Sequence, residues 1–271
     1  MTLNPARLAR FADWVTTLPL RPLPRTVIPV PGEYHLDYVR RLARANHLDF
    51  GELTGALDDT AAITVHGPLG WTRHQQERLA AAASQPLARI TRLCWPDPDV
   101  YLRDIEGFHQ MLRPACRRCA ARRGIAEPVA CYLPPHLTVC RRHRLWIGPS
   151  ARTHAGQLDV RPCPEVLSAQ HRHLALVHHH RWQDVQAAIS TATHTIHSVL
   201  RAGAWTLPQR QRLHQLDPGT WPQATPEPGP GWQYNLSGNP VIEIAIYPEI
   251  VRLAARNLRA QEPGTSREPG P

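Results

Sequence analysis

Leu36, Val39, Leu42 and Ala43 recur at helical spacing and predict a helix running up to Asn46, a residue suited to a C-terminal stop. Asp49 and Glu52 stand in the arrangement of a capping box, which starts a second helix with Phe50, Leu53 and Leu57 facing inward. Two short helices with a tight joint fit two outlines, a helix-turn-helix and an ordinary helical hairpin. Another capping box, Thr72 with Gln75, opens a helix through Ala83, and Ser84-Gln85-Pro86 starts a further short one. From Pro164 to Gly203 the pattern is strongly helical, carried by Val166, Leu167, Leu174 and Val177, then by Val185, Ile189, Ile196 and Leu200. A shorter helix follows Thr206-Leu207-Pro208, and the Pro- and Gly-rich run from Asp217 to Trp232 predicts a linker or long loop. Tyr247-Pro248-Glu249-Ile250 is expected to begin the last helix, with its proline at a tolerated first-turn position.

Periodicity is lost at both ends. Residues 1–35 are punctuated by proline and predict an extended arm, while residues 262–271 read as a disordered tail. Leu20, Leu23, Val27, Ile28 and Val30 of the arm are costly to leave in water. The arm therefore either docks a partner or packs over the chain's own helices.

The chain has 271 residues, enough for two modest domains or one large one. Hydrophobic residues make up 42% but aromatics only 6%, so aliphatic side chains fill most of the core. No run of eighteen or more apolar residues is free of charge, which argues against a membrane span. The first twenty residues are broken by Arg7, Arg10, Asp13 and Pro19 and do not read as a secretory signal, so a cytoplasmic location is expected.

Charge sharpens the picture. A net charge of +9 favours a polyanionic partner such as nucleic acid, and with it a nucleoid location. Every basic side chain is Arg and there is no Lys. A GC-rich coding bias accounts for that choice as well, yet the result is a surface of planar forks suited to phosphates and guanine edges. Six Cys in such a chain argue for metal binding or free thiols rather than disulfides.

The most informative segment is Arg113-Pro114-Ala115-Cys116-Arg117-Arg118-Cys119, then twenty residues, then Cys140-Arg141-Arg142-His143. A two-residue gap lets two ligands from one turn reach the same ion, and two such knuckles supply the four donors of tetrahedral zinc. All four positions are filled by protein, so one structural Zn2+ is expected on Cys116, Cys119, Cys140 and His143. Cys131 reads as a small hydrophobe on a strand, Cys94 and Cys163 stand alone, and His136 lies outside the knuckle symmetry. Between Arg113 and Arg144 there are eight Arg and a single acidic residue, Glu127. Arg117, Arg118, Arg141 and Arg142, inside the knuckles, are the expected phosphate contacts. The stretch His171-Arg172-His173 and His178-His179-His180 has no paired carboxylate and reads as a solvated helix face. There is no Gly-rich phosphate loop, no nucleophile elbow and no carboxylate pair, and Asp58-Asp59, Asp97 and Asp99 read as turn and cap residues. Neither catalysis nor a small-molecule substrate is expected.

Leu23-Pro24, then Pro31-Gly32-Glu33, then Tyr38-Val39-Arg40-Arg41-Leu42-Ala43-Arg44-Ala45-Asn46 resembles the opening of the TniQ family. The later Cys-x-x-Cys and Cys-x-x-His pairs, with Leu145 just beyond, are similar to that family's zinc finger; the likeness spans roughly residues 20–147 and is carried by the order of the two motifs. It implies a non-enzymatic accessory protein of DNA transposition, acting in target-site selection and contacting DNA and an AAA+ ATPase. Some relatives dock on RNA-guided complexes. It further implies a helix-turn-helix region joined to zinc-finger modules. Larger relatives often carry a second set of Cys pairs, for which Cys163 has no partner, so a reduced member acting alone as a regulator is the alternative.

The expected fold is mainly α with a small zinc-bound β element. Its expected order is an arm (1–35), a helical region with the helix-turn-helix (36–112), a zinc finger (113–147), a helical region (148–216), a linker with a C-terminal helix (217–261) and a tail (262–271). Arg40, Arg41 and Arg44 of the first helix are the expected groove contacts, beside the knuckle arginines. The rival functions are a transcriptional regulator built from the same parts and a protein-interaction module whose charge reflects coding bias alone.

Overall fold

Capping side chains set the helix starts. In the computed structural model, which describes residues 21–57, 71–93, 112–219 and 238–261, Thr72 and Gln75 close a reciprocal capping box, and Thr206 and Gln209 close another. Asp49 and Glu52 close a variant of one: Glu52 accepts from the Asp49 N–H at 2.9 Å while Asp49 Oδ1 accepts from Gly51 N–H at 2.7 Å. Among the described residues the elements are α1 (His35–Ala45), α2 (Phe50–Leu57), α3 (Arg73–Ala82), α4 (Leu87–Ile90), β1 (Leu112–Pro114), α5 (Arg117–Ala121), β2 (Ala130–Tyr132), β3 (Val139–Cys140), β4 (Leu145–Trp146), α6 (Pro164–His179), α7 (Trp182–Arg201), α8 (Leu207–Leu216) and α9 (Pro240–Gln261). The protein is mainly helical. No described helix is long and apolar enough to cross a membrane.

The chain divides into two units, one of residues 1–115 and 120–133, the other of residues 116–119 and 134–271. In the first, α1 to α4 share a core of Tyr38, Val39, Leu42, Ala43, Leu53, Leu57, Leu79 and Ile90; of the apolar positions that the α1 and α2 periodicity predicts, Val39, Leu42, Ala43, Leu53 and Leu57 are buried in it, Phe50 packs against it, and the half-buried Leu36 stays out of it. The joint between α1 and α2 turns at His47, which takes a left-handed φ of 57°. Strands β1 and β2 pair antiparallel with Arg113 opposite Cys131. Residues 113–147 accordingly split between the units instead of forming one module.

The described part of the arm is extended and belongs to this first unit. Leu23 N–H donates to Ala82 O at 2.8 Å, the Tyr38 hydroxyl donates to Val27 O at 2.8 Å, and Asn46 exchanges two hydrogen bonds with the Arg25 backbone. Leu23 and Val27 pack on the helical core and Val30 is buried, so of the two readings of the arm the packing one matches the structure. Only Ile28 among its described apolar residues is strongly exposed.

In the second unit α9 is the central helix. Its residues enter two apolar clusters, Ile242, Ala245, Ile246 and Ile250 facing α7 and α8, Ile244, Tyr247 and Val251 facing α6 and the β3–β4 hairpin. Its first half, residues 242–251, is buried apart from the half-buried Glu243 and Glu249, while Arg252, Arg256 and Arg259 of its second half are exposed. The expected start at Tyr247 is therefore wrong: α9 begins at Pro240, and Pro248 lies inside it. Asn239 caps this earlier start, its Oδ1 accepting from Val241 N–H at 2.9 Å, and Pro240 suits the first turn. An interior proline costs roughly 3 kcal/mol, which the burial of Ile244, Ile246, Tyr247, Ile250 and Val251 around it offsets. Gly148, beyond β4, is fixed by packing, since a Cβ there would lie 2.4 Å from the Trp146 ring.

Candidate metal centre

Four donors meet in the second unit. Cys116 lies just before α5 and Cys119 one turn into it, where the Arg117 N–H is accepted by the buried Gln157 Oε1 at 2.7 Å. Cys140 ends β3, and His143 follows in the loop to β4, closed by Arg144 N–H donating to Cys140 O at 2.7 Å. Arg144 makes the loop return by taking a left-handed φ of 53°. Leu145 pairs with Cys140, and residues 158–160 run along the outer edge of β4, with Trp146 N–H donating to Leu158 O and Val160 N–H to Arg144 O.

The three Sγ atoms and the His143 Nδ1 all lie within 4.8 Å of one another. Cys119 Sγ is 3.7 Å from Cys140 Sγ and 3.2 Å from His143 Nδ1, which is 3.5 Å from Cys116 Sγ and 3.7 Å from Cys140 Sγ. The four residues picked out by their spacing thus come together, and the cluster could hold one metal ion. Protons reflect the crowding. The Cys140 thiol is drawn down to about 4, first by the hydrogen bond from Cys116. The Cys116 thiol, on the donating side of that bond and buried, is pushed up. One thiolate is tolerated among these sulfurs without a cation; three need one.

The other two described cysteines, Cys131 and Cys163, stay apart from the cluster. Cys131 is 1% exposed and packs with Val129 and Ile125, as a small hydrophobe does. Cys163 is fully buried, donates to Gln215 Oε1 at 3.3 Å, and has its thiol pushed up to about 11 by burial. Cys94 lies outside the described residues.

The knuckle arginines divide. Arg141 and Arg142 are exposed, with no hydrogen bond or ion pair among the described residues, and Arg144 beside them is exposed too. Arg118 is exposed, 3.9 Å from Asp159 and donating weakly to His143 O at 3.5 Å. Asp159 is mainly engaged by Arg161, whose guanidinium holds that carboxyl below its ordinary range. Arg117 is half-buried, and its guanidinium donates to His154 O at 3.1 Å. Arg144 was missed as a member of this set, although it directly follows the last ligand. Gln157, which holds the first knuckle from forty residues away, gives no signal in the sequence.

The α1 arginines divide as well. Arg40 and Arg44 are exposed, Arg40 bonded to Asp37 and set over the Phe50 ring at 5.1 Å, Arg44 3.6 Å from Glu127. Arg41 is buried and bound to Glu33 through both oxygens, so it offers nothing to solvent. The histidine stretch also departs from a solvated face. His171, His178 and His179 are exposed, but His173 is 2% exposed, its Nδ1 3.0 Å from the Tyr247 hydroxyl, because α6 turns that position toward α9.

Comparison of the chain with protein-family models, with curated proteins and with solved structures finds no match.

Proposed function

We propose that the chain is a zinc-containing, non-enzymatic DNA-binding adaptor of the kind the TniQ resemblance implies. The observation that carries this reading is the Cys116, Cys119, Cys140 and His143 cluster, rimmed by the exposed Arg118, Arg141, Arg142 and Arg144. Zn–S bonds of about 2.3 Å and Zn–N bonds of about 2.0–2.1 Å give a tetrahedron with edges of about 3.7 Å between sulfurs and about 3.5 Å from sulfur to nitrogen. The 3.7 Å Cys119–Cys140 and 3.5 Å Cys116–His143 separations support that metal. Three thiolates and an imidazole leave no coordination position for an activated water, so the ion serves folding.

The arginine-bearing turns then project from a metal-fixed scaffold, which lowers the cost of ordering them on phosphates. Arg118, Arg141, Arg142 and Arg144 supply sequence-independent affinity. Arg40 and Arg44 on α1 remain available for orientation on DNA, while Arg41 and Arg117 serve the fold. The helix-turn-helix identity of α1 and α2, and an AAA+ ATPase as second partner, rest on the resemblance.

The test is DNA affinity as a function of salt, with Arg118, Arg141, Arg142 and Arg144 changed together to Gln. Affinity should fall alike on all sequences, and the slope of log affinity against log salt should flatten by about 0.9 for each phosphate no longer neutralised. Equal affinity of the quadruple variant and its parent at physiological salt would refute phosphate binding by this cluster.

A further inference from the structure

Helices α6, α7 and α9 and the β3–β4 hairpin contribute to a cavity of about 180 Å³ lined by Trp146, His173, Thr193, His197, Glu243 and Tyr247, with Ile and Pro side chains completing the wall. Gln186, exposed, also lines it, so the cavity opens to solvent. A dry cavity of about 150 Å³ admits benzene, so this one takes a six-membered ring with a short substituent.

The polar groups of the wall are engaged by the protein or closed off. Trp146 Nε1 donates to Ser150 Oγ at 3.2 Å, Thr138 Oγ1 to Gln170 Oε1 at 2.7 Å and Thr193 Oγ1 to Ile189 O at 2.8 Å. The Tyr247 hydroxyl lies 3.0 Å from His173 Nδ1. The Nε2 atoms of His173 and His197 are themselves buried, so a molecule in the cavity does not reach them. Neither ring favours a charge. Burial, ahead of any neighbouring charge, lowers both pKa values, that of His173 to about 4. Glu243 is half-buried, and its Oε2 accepts from Ser150 N–H at 3.3 Å.

A water settles in a cavity where it finds two to four polar partners. This wall offers carbon instead. Ile246 and Ile250 are buried in it, Ile189 is half-buried, and the Trp146 and Tyr247 rings meet edge to face with centroids 5.4 Å apart. An anion would meet the Glu243 carboxylate beside two neutral imidazoles. A cation would give up its water for one half-buried carboxylate that Ser150 already engages. A neutral apolar molecule loses nothing on entry and leaves water behind. We propose that this cavity binds a neutral, apolar molecule about the size of one six-membered ring, held by carbon contacts with Trp146, Ile189, Ile246 and Tyr247. The site lies within the second unit, shares no residue with the Cys–His cluster, and depends on neither zinc nor DNA.

Titration of the full chain, carrying methyl-labelled isoleucine, with toluene, phenol and benzylamine tests this. Toluene should bind saturably and shift the methyl resonances of Ile189, Ile246 and Ile250 more than those of Ile28 and Ile90, which lie in the first unit. Phenol has the shape of toluene with a hydroxyl for its methyl. It should bind about tenfold more weakly, because the hydroxyl gives up water without gaining a partner. Benzylamine, charged at neutral pH, should bind more weakly still. Thr193→Leu puts carbon into the cavity and should abolish the toluene shifts. No saturable toluene binding up to the solubility limit, shifts that spare these three methyls, phenol or benzylamine binding as tightly as toluene, or an unchanged toluene affinity in Thr193→Leu would overturn the proposal. The parent titration alone decides if Thr193→Leu does not fold.

Discussion

Glu33 and Arg41 form a buried, two-pronged ion pair, with Arg41 Nε 2.7 Å from Oε1 and Nη2 2.8 Å from Oε2. Glu33 also accepts from Val30 N–H at 2.7 Å, and Arg41 donates to Ile28 O at 3.2 Å, so the pair ties the arm to α1. Both residues belong to the run that carries the TniQ resemblance, and here they hold the fold. Glu33→Gln should leave the guanidinium uncompensated and cost about 3–5 kcal/mol, whereas Glu33→Leu with Arg41→Leu should recover most of that loss. Urea midpoints of the two variants check it.

Arg212 is the corresponding clamp in the second unit. It is 3% exposed, donates to Ala245 O at 2.6 Å, and pairs with Glu249 at 2.5 Å and Glu165 at 3.4 Å, joining α6, α8 and α9 beside Pro248. Arg212→Ala strands the mostly buried Glu249 carboxylate and the Ala245 carbonyl, while Glu165 stays solvated, and should cost about 3 kcal/mol in denaturant unfolding. Arg210→Ala, on the same helix, should cost under about 1 kcal/mol.

His173 makes stability depend on pH. Its folded pKa of about 4 lies below the unfolded value near 6.5, so the unfolded chain binds the extra proton as pH falls. Its contribution is fully present above pH 6.5 and is lost between 6.5 and 4, a loss of about 3 kcal/mol. Compared with the parent, His173→Gln should show a shallower fall in stability across that window. Parallel curves for the two proteins would exclude His173 as the source.

What was legible in the sequence is what local rules govern. Thr72 with Gln75, and Asp49 with Glu52, announce their helices because a capping box closes within four residues. Cys116 with Cys119 and Cys140 with His143 announce the cluster because each pair sits on one turn. What was not legible depends on distant partners. Pro248 reads as a helix start until the residues on both sides of it, Ile242 to Tyr247 and Ile250 to Val251, are seen to share one buried helix. Arg41 and Arg117 look like their exposed neighbours until Glu33 and the His154 carbonyl claim them. His173 hides among solvated histidines because only its meeting with Tyr247, from α9, distinguishes it.

The most direct test of the account is the zinc content of the purified full chain and of three single variants. The parent should carry one zinc per chain, Cys119→Ser and Cys140→Ser should lose it with several kcal/mol of stability, since binding energy in such a site is folding energy, and Cys131→Ser should keep it. An unchanged zinc content in both Cys119→Ser and Cys140→Ser, or loss of zinc in Cys131→Ser alone, would contradict the assignment of the metal centre.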